Sequence, residues 1–421
     1  MKKQDGFIQV LKNRNFSLFW SGQIVSQFGD QLNQMALVAL IYMIGASGVE
    51  FSKLMILGIV PTLFFGPVSG VFVDRWKRKK VMVNSDILRG VLVLSIPFLK
   101  RSILSVYAVM FLVFIINKFF LSARSASIPN IVNREHLLVA NSLSTSAYTL
   151  TIVLGSGIGG IIVSLTGWKT GFYIDSITYF ISALLLSLVT VREPSKVDTP
   201  TAKDDMSIKS SISHFKNDIK VGFKEITQNE SVLFAVLALS MIMSVAGVSF
   251  VLYPVLVRNT FRLGTGSLGI LISILGGGLL LGSSAVGKFG HKLAREKLIL
   301  LSFLFTGIII LMLSRSSAFL YFLSGTFLLG ISVAPIFIVT ETILQENVID
   351  AVRGKVFGTK VAIVNAAFLF FGIISGAIID FTGEKSVFVV LGVICILFAI
   401  AGEILLYRKT QENLKAIEKS E

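Results

Sequence analysis

Charged residues are scarce in this sequence. They make up 15% of the 421 residues, whereas soluble domains carry roughly 25%, and hydrophobic residues make up 53%. A chain with so few polar residues cannot cover the surface of a water-soluble protein of this size. The composition therefore excludes an ordinary soluble domain and indicates helices that cross a membrane, each of which needs about 20 mostly apolar residues.

Twelve apolar runs approach or exceed that length. They cover residues 17–44, 53–73, 81–99, 103–122, 137–165, 170–190, 231–257, 267–288, 298–314, 318–340, 356–381 and 385–407. We number these runs as spans 1 to 12 and predict an all-α membrane protein with twelve transmembrane helices.

The residues that build most enzyme sites are also rare. Cys395 is the only cysteine, so a disulfide within the chain is excluded, and His136, His214 and His291 are scattered in loops, so no metal site is predicted. The glycine-rich stretch at 154–160 lies inside an apolar run, not between a strand and a helix, so it is not a nucleotide-binding loop. Nothing resembles a nucleophile–base pair. We therefore expect that the protein is not an enzyme and needs no cofactor. We expect a proton as the coupling ion.

The positive charges follow a pattern along the chain. The net charge of +15 would suggest nucleic acid in a soluble protein, but no basic stretch lies on a soluble domain. With both termini inside, most of the 39 lysines and arginines fall in cytoplasmic loops, as the positive-inside rule requires. This pattern predicts a multi-pass cell-membrane protein with cytoplasmic termini. We further expect that it is a monomer, and that its partners are the lipid bilayer and a small molecule, not nucleic acid.

One long polar segment divides the chain into two sets of six spans. Pro194 and Pro200 disfavour a helix in its first part. Its second part has apolar residues at helical spacing, namely Ile212, Phe215, Ile219 and Phe223. We predict an N-terminal six-helix bundle (1–190), a cytoplasmic linker with a short amphipathic helix on the inner membrane surface (191–230), and a C-terminal six-helix bundle with a cytoplasmic tail (231–421).

The two halves also resemble each other. The stretch GVFVDRWKRKKV (70–81) aligns with GKFGHKLAREKL (287–298) at an offset of 217 positions. The stretch GIIVSLTGWK (160–169) aligns with GAIIDFTGEK (376–385) at an offset of 216. Duplicated halves of this size are typical of secondary transporters, whose substrate site lies between the repeats near the bilayer midplane.

The loop between spans 2 and 3 resembles the signature of the major facilitator superfamily. The signature residues present are Gly70, Asp74, Arg75 and Arg78, and Lys77 replaces the second glycine of the signature. The resemblance implies two pseudo-symmetric six-helix bundles that work by alternating access. It also implies that these residues latch a cytoplasmic gate, together with Arg124 at the end of span 4. The alternative is that the basic loop only determines topology.

Span 5 contains a second motif of the superfamily. The stretch LGSGIGG is similar to its antiporter motif, with Gly155, Gly159 and Gly160 in place and Ser156 where the motif has proline. By resemblance such a segment accompanies export. The alternative is close packing against span 8, which is glycine-rich at 276–278.

Three stretches resemble a narrower branch of the superfamily. They are SQFGDQLNQMAL in span 1, VDRWKRKKVMVNSDILRG around the loop between spans 2 and 3, and LTGWKTGFYIDSITYFISALLL in span 6. The branch includes macrolide-efflux proteins and siderophore exporters such as the enterobactin exporter. The resemblance implies efflux, and it links the chain to multidrug resistance or siderophore export.

Span 1 carries the most informative polar residues. Gln23, Gln27, Asp30 and Gln34 recur at i, i+4, i+7 and i+11, which is one face of a helix. An acid at the bilayer centre costs about 2.5–3.5 kcal/mol on insertion scales, so Asp30 should face a wet cavity. We predict that Asp30 is a proton-coupling or substrate-cation site. The alternative is a neutral acid that is hydrogen-bonded to a neighbouring helix.

Other polar residues lie within the spans. Lys118, about two turns from the cytoplasmic end of span 4, could bind an anionic cargo or pair with an acid, or its amine could snorkel to the headgroups. Asn141 and Tyr148 in span 5 and Tyr253 in span 7 are predicted to line the cavity.

Four further charged residues have structural interpretations. Asp86 and Arg89, at i and i+3 in span 3, are predicted to form a pair within the helix. Asp175 is interpreted as a structural residue near the outer face, and Glu341 as a solvated or interfacial one.

Together these features predict a secondary active transporter. We expect proton-driven export of a small, moderately hydrophobic organic molecule, such as a macrolide-like drug or a siderophore. The alternatives are a lipid or lysolipid flippase of the same fold, a non-transporting sensor or scaffold, and, least favoured, an intramembrane enzyme.

Overall fold

The computed structural model describes residues 3–99, 102–191, 208–289, 294–350 and 352–418. Within these ranges, the side chains of residues 3–6, 63, 67, 71, 74, 75, 134, 208–216, 289 and 408–418 are not described. The described chain is helical and contains no strand. Its α-helices are α1 (Lys3–Lys12), α2 (Arg14–Met43), α3 (Gly48–Arg75), α4 (Arg78–Ser95), α5 (Ile103–Ile131), α6 (Leu137–Thr166), α7 (Trp168–Ser187), α8 (Ile208–Gln228), α9 (Glu230–Asn259), α10 (Thr265–Phe289), α11 (Arg295–Ser314), α12 (Phe319–Asn347), α13 (Arg353–Thr382) and α14 (Glu384–Glu418).

Eleven of the described helices, α3 to α7 and α9 to α14, are long and apolar enough to cross a membrane. They correspond to predicted spans 2 to 12. Helix α2, at the position of span 1, has 30 residues and is long enough, but it is less apolar than these eleven helices are required to be. Two of its polar residues, Gln23 and Asn33, are buried, while Gln27, Asp30 and Gln34 are partly exposed. The predicted all-α membrane architecture is confirmed.

The chain divides into two compact units. Unit 1 comprises Met1–Thr201 and Arg262–Ser273, and unit 2 comprises Ala202–Phe261 and Ile274–Glu421. In unit 1, α2 packs on α6 and α7, α4 packs on α5 and α7, and α3 packs on α5. In unit 2, α9 packs on α12 and α13, and α11 packs on α12 and α14.

The internal repeat recurs in the helix caps of the two units. The side-chain nitrogen Nδ2 of Asn13, the N-cap of α2, donates to the backbone carbonyl of Ile131 at the end of α5 (3.1 Å). The side-chain nitrogen Nδ2 of Asn229, the N-cap of α9, donates to the backbone carbonyl of Asn347 at the end of α12 (3.5 Å). The offset is again 216 positions. The same device therefore ties the first helix of each half to the end of the fourth.

The repeat also includes the turn that precedes the last spanning helix of each half. Gly167 has φ of +87° and Gly383 has φ of +82°, a backbone conformation that L side chains rarely adopt. Each glycine N–H donates at 2.9 Å to a carbonyl four residues earlier, on Val163 and Ile379 respectively. Each therefore ends one helix and starts the next in a single residue.

The linker helix α8 packs against protein. Gly222 lies so close to α13 that an added Cβ would be 2.5 Å from the carbonyl oxygen of Lys355, and the amine of Lys355 pairs with Asp218 at 3.2 Å. Ile226 is buried, whereas Phe223 is 55% exposed. The side chains of Ile212 and Phe215 lie outside the described residues. The sequence predicted a helix lying on a membrane surface, and the structure adds a docking contact along the first turns of α13.

A close contact in unit 2 gives a test of this packing. A Cβ on Gly247 of α9 would lie 2.2 Å from the carbonyl oxygen of Phe368 in α13, whereas a Cβ on Gly277 of α10 has no atom within 4 Å. Alanine is the better helix former by about 1 kcal/mol, but overpacking costs about 1–3 kcal/mol. We expect Gly247→Ala to lower the thermal unfolding midpoint in detergent, and Gly277→Ala to leave it unchanged or raise it. Equal midpoints for the two variants would contradict this packing.

Candidate functional site

Helices α2 and α7 approach each other closely in unit 1. Small residues allow the approach: a Cβ on Gly29 would lie 2.0 Å from the hydroxyl oxygen of Thr178, and one on Gly171 would lie 2.8 Å from Cβ of Ala36. Gly22 faces Ser182 in the same way at 3.4 Å. The contact brings the polar side chains of the two helices within hydrogen-bonding distance.

Two pairs of side chains connect α2 with α7. The hydroxyl of Tyr179 donates to Oδ1 of Asp30. The amide nitrogen of Asn33 donates to Oδ2 of Asp175 at 2.6 Å. Asp30 and Asn33 are three residues apart on α2, and Asp175 and Tyr179 are four apart on α7, so both pairs lie on facing helix surfaces. Asp30 is partly exposed, while the other three side chains are buried.

Arg89 of α4 lies next to these pairs and is fully buried. Its guanidinium donates to Asp86, which confirms the predicted pair within the helix, and to Oδ1 of Asn117 in α5 at 2.8 Å. The guanidinium carbon lies 4.4 Å from the ring centre of Phe120 and 4.3 Å from that of Tyr179. Arg89 thus contacts the same tyrosine that binds Asp30. We call Asp30, Asn33, Asp86, Arg89, Asn117, Asp175 and Tyr179 the polar cluster.

The polar cluster contains more acids than bases. Asp30, Asp86 and Asp175 share it with a single guanidinium, that of Arg89. Net charge is costly to bury where the dielectric constant is low. The cluster contains fewer cationic groups than carboxyl groups.

The second half of the chain has no such cluster among the described residues. At an offset of 216 or 217 positions, Asp30 corresponds to Ala246, Asp86 to Phe303, Arg89 to Thr306, Asp175 to Leu391 and Tyr179 to Cys395. Phe303, Leu391 and Cys395 are buried. These positions therefore carry no charged side chain in the second half. The helices that carry them also pack differently, since α9 contacts α14 only slightly whereas α2 packs closely on α7.

The family of the chain follows from comparison with known proteins. The sequence model described as Major Facilitator Superfamily matches residues 19–314 and 234–421. The chain belongs to the major facilitator superfamily. The predicted resemblance is confirmed, and the relatives that match are transporters, not enzymes.

Several relatives in this superfamily match most of the chain. Macrolide efflux protein A of Streptococcus pyogenes is 25% identical over 91% of this chain and 94% of its own length. The bacilysin exporter BacE of Bacillus subtilis is 26% identical over 88% of this chain and 91% of its own length.

Solved structures of the superfamily share the fold. A bacterial homologue of the lysosomal transporter Spinster has a TM-score of 0.67 at 13% identity, with 96% of this chain and 98% of that chain covered. A bacterial homologue of the iron transporter ferroportin has a TM-score of 0.67 at 15% identity, with 92% and 98% covered. The predicted fold class is confirmed.

The superfamily's gate signature is partly described. Arg78 donates from Nη1 to the carbonyl of Ala126 at 2.7 Å, so it reaches the end of α5, the helix that carries the half-buried Arg124. The side chains of Asp74 and Arg75 lie outside the described residues. An added Cβ on Gly70 would meet no described atom within 4 Å. Its small size is therefore not explained by packing in this conformation.

The antiporter-like motif packs within unit 1. A Cβ on Gly155 would lie 2.9 Å from Gln31, one on Gly159 would lie 3.4 Å from the backbone of Leu32, and one on Gly160 would lie 2.5 Å from the carbonyl of Thr265. The motif packs against span 8, as the alternative interpretation expected, because Gly157 lies next to Ser273 and Gly160 next to Thr265 and Gly269, all on α10. The glycine-rich residues 276–278 are not the ones in contact, and Gly278 packs against α12.

The other predicted cavity residues are spread over the two units. Gln23 is buried and Gln27 and Gln34 are partly exposed on α2, while Asn141 and Tyr148 are exposed on α6. The side-chain nitrogen of Gln23 and the side-chain oxygen of Gln27 are buried without a partner among the described residues.

Two of the predictions need correction. Tyr253 is only 6% exposed and lies among the rings of Phe322 and Phe388 in unit 2, because its aromatic ring completes an apolar core. Lys118 lies near the middle of α5, 15 residues from its start and 13 from its end, because the helix continues to Ile131. Its amine has no ion-pair or hydrogen-bond partner among the described residues.

Two interhelical contacts of charged groups were not predicted from the sequence. Asp175, interpreted as a structural residue near the outer face, is fully buried and accepts a hydrogen bond from Asn33 of α2. Glu341, interpreted as solvated or interfacial, is partly exposed and pairs with the amine of Lys360 at 2.8 Å. The sequence did contain a signal for the polar cluster. Asp175 and Tyr179 are four residues apart and Asp30 and Asn33 are three apart, so each helix carries two polar side chains on one face.

The buried pair of Asp86 and Arg89 gives a test of the site's energetics. Removal of one partner leaves a buried charge uncompensated, which costs about 3–5 kcal/mol, whereas removal of both does not. We expect Asp86→Asn and Arg89→Gln each to lower the thermal unfolding midpoint in detergent, and the double variant to recover most of the loss. A double variant no more stable than the worse single variant would contradict the pairing.

Proposed function

We propose that the protein exports a small, moderately hydrophobic organic molecule by alternating access and proton antiport, with Asp30 as the proton-carrying group. The export direction is supported by the efflux relatives, which are named for a macrolide and for bacilysin. A macrolide-like drug or a siderophore is the cargo class that we favour. The transporter acts as a monomer in the cell membrane, with both termini in the cytoplasm.

One observation carries the proton-coupling proposal. Asp30 is a partly exposed acid near the middle of α2, in contact with a cluster that has too few cations for its carboxyl groups. Partial exposure lets a proton reach the carboxyl, and the buried cluster makes its charge costly. A group of this kind can take up and release a proton as its access to water alternates.

The absence of the cluster from the described part of the second half supports a functional role. Ala246 and Leu391 stand where Asp30 and Asp175 would be, so the acids are not part of what the two halves share. Each proton that enters down a membrane potential of 100 mV releases about 2.3 kcal/mol, which suffices to drive a tenfold gradient or more of a neutral cargo.

The test uses purified protein in liposomes with an imposed pH gradient and erythromycin, a macrolide, as the probe. We expect uphill accumulation in the wild type. Asp30→Asn should abolish accumulation, because the carboxamide cannot carry a proton, yet keep downhill exchange of the same probe. Asp350→Asn is the control, since that acid is 85% exposed and lies outside the spans.

Further arms separate the alternatives. A sodium gradient in place of the pH gradient tests the coupling ion, and a fluorescent lysolipid in place of erythromycin tests flipping. Uphill transport by Asp30→Asn at the wild-type rate would overturn the coupling role. Flipping of the lysolipid without transport of erythromycin, a siderophore or a dipeptide would establish the flippase instead. No movement of any probe would favour a sensor or scaffold.

A further inference from the structure

Arg89 makes more contacts than its pair with Asp86 needs. Its guanidinium also binds Asn117 and lies between the rings of Phe120 and Tyr179. The guanidinium thus has two hydrogen-bond partners and two ring contacts, while its Nε is buried without a partner among the described residues. One of the two rings belongs to the tyrosine that contacts Asp30.

Tyr179 connects Arg89 with Asp30. Its ring face is 4.3 Å from the guanidinium carbon, and its hydroxyl donates to Oδ1 of Asp30. A cation on the ring face attracts electron density from the ring and strengthens the hydroxyl as a donor, as in other polarised hydrogen-bond chains. The positive charge of Arg89 therefore acts on Asp30 directly and through the tyrosine.

The other groups that face Asp30 do not replace this effect. Asp86 of α4 and Asp175 of α7 are acids that oppose a charge on Asp30. Tyr148 of α6 is the other titratable side chain that interacts with it, and Arg124 of α5 acts on Tyr148. Arg89 is the cation that acts on Asp30 among the described residues. Any stabilisation of the Asp30 carboxylate by a full positive charge therefore comes from α4.

We propose that Arg89 and Tyr179 are positioning residues that stabilise the ionised carboxylate of Asp30, so that its proton can leave while the side chain stays within unit 1. The inference rests on the proposed role of Asp30 as proton carrier. The proton passes from the Asp30 carboxyl to solvent. Tyr179 keeps its own proton and donates the hydrogen bond, and Arg89 stays charged. Asp86 and Asn117 hold the guanidinium in place.

The experiment follows the protonated carboxyl of Asp30 by infrared spectroscopy. Purified wild-type protein is titrated with alkali, and the carbonyl band of the protonated group is assigned by its loss in Asp30→Asn. The test variants are Asp86→Asn/Arg89→Gln and Tyr179→Phe, which removes only the hydroxyl. The double variant is compared with Asp86→Asn alone, so that the two proteins differ only in the guanidinium. Tyr253→Phe is the matched control, a buried tyrosine in unit 2.

We expect the band of Tyr179→Phe to persist to higher pH than that of the wild type, and the band of the double variant to higher pH than that of Asp86→Asn, each by about one pH unit or more. The band of Tyr253→Phe should titrate as in the wild type. A folded double variant whose band titrates as in Asp86→Asn would show that Arg89 serves only Asp86, and would overturn the inference. A band unaltered in Asp30→Asn would overturn it too, because Asp30 would then not be the group that titrates.

The two proposals can fail separately. If the infrared shift is found but Asp30→Asn still drives uphill transport, Arg89 and Tyr179 control the proton of Asp30, and the coupling role of that proton is wrong. If Asp30→Asn loses uphill transport and the variants show no shift, the coupling role stands and the positioning role falls. A structural role of Arg89 alone would change stability but not the pH of titration.

Discussion

The contact between α2 and α7 is the interaction on which the site depends. Gly29 removes the side chain that would hold the helices apart, and the pairs Asp30–Tyr179 and Asn33–Asp175 then cross the interface. Without this approach, α2 would carry an isolated acid and several unpaired amides through an apolar medium. Helix α7 thus supplies the hydrogen-bond partners of Asp30 and Asn33, two of the polar side chains that α2 carries.

The two halves share their ends and differ in their middle. The caps at Asn13 and Asn229 and the turns at Gly167 and Gly383 repeat almost residue for residue. In unit 1, α2 packs tightly on α7, whereas in unit 2 the corresponding helices α9 and α14 touch only slightly, and α9 packs mainly on α13. The polar cluster lies where the halves diverge, which is the region that the symmetric framework leaves free to vary.

Much of the fold could be predicted from the sequence because helix length and apolar composition are local properties. The ends of α6 and α13 match the predicted spans to within a few residues. The partners of Asp30 could not be predicted, since Tyr179 is 149 residues away and one sequence contains no record of which helices are neighbours. Lys118 was placed too close to the end of its helix because hydropathy falls before α5 ends. Tyr253 was assigned to the cavity because a tyrosine suits an aromatic core as well as a cavity.

The positions of the second half that correspond to the polar cluster differ from it in their tolerance of charge. A charged substitution at Phe303, Leu391 or Cys395 would place a charge in a buried apolar site without a counter-ion, whereas the equivalent side chains of the first half already form hydrogen bonds or an ion pair within the polar cluster. A single charged substitution at these positions of the second half is therefore expected to cost more folding stability than one that keeps the existing pairs of the first half.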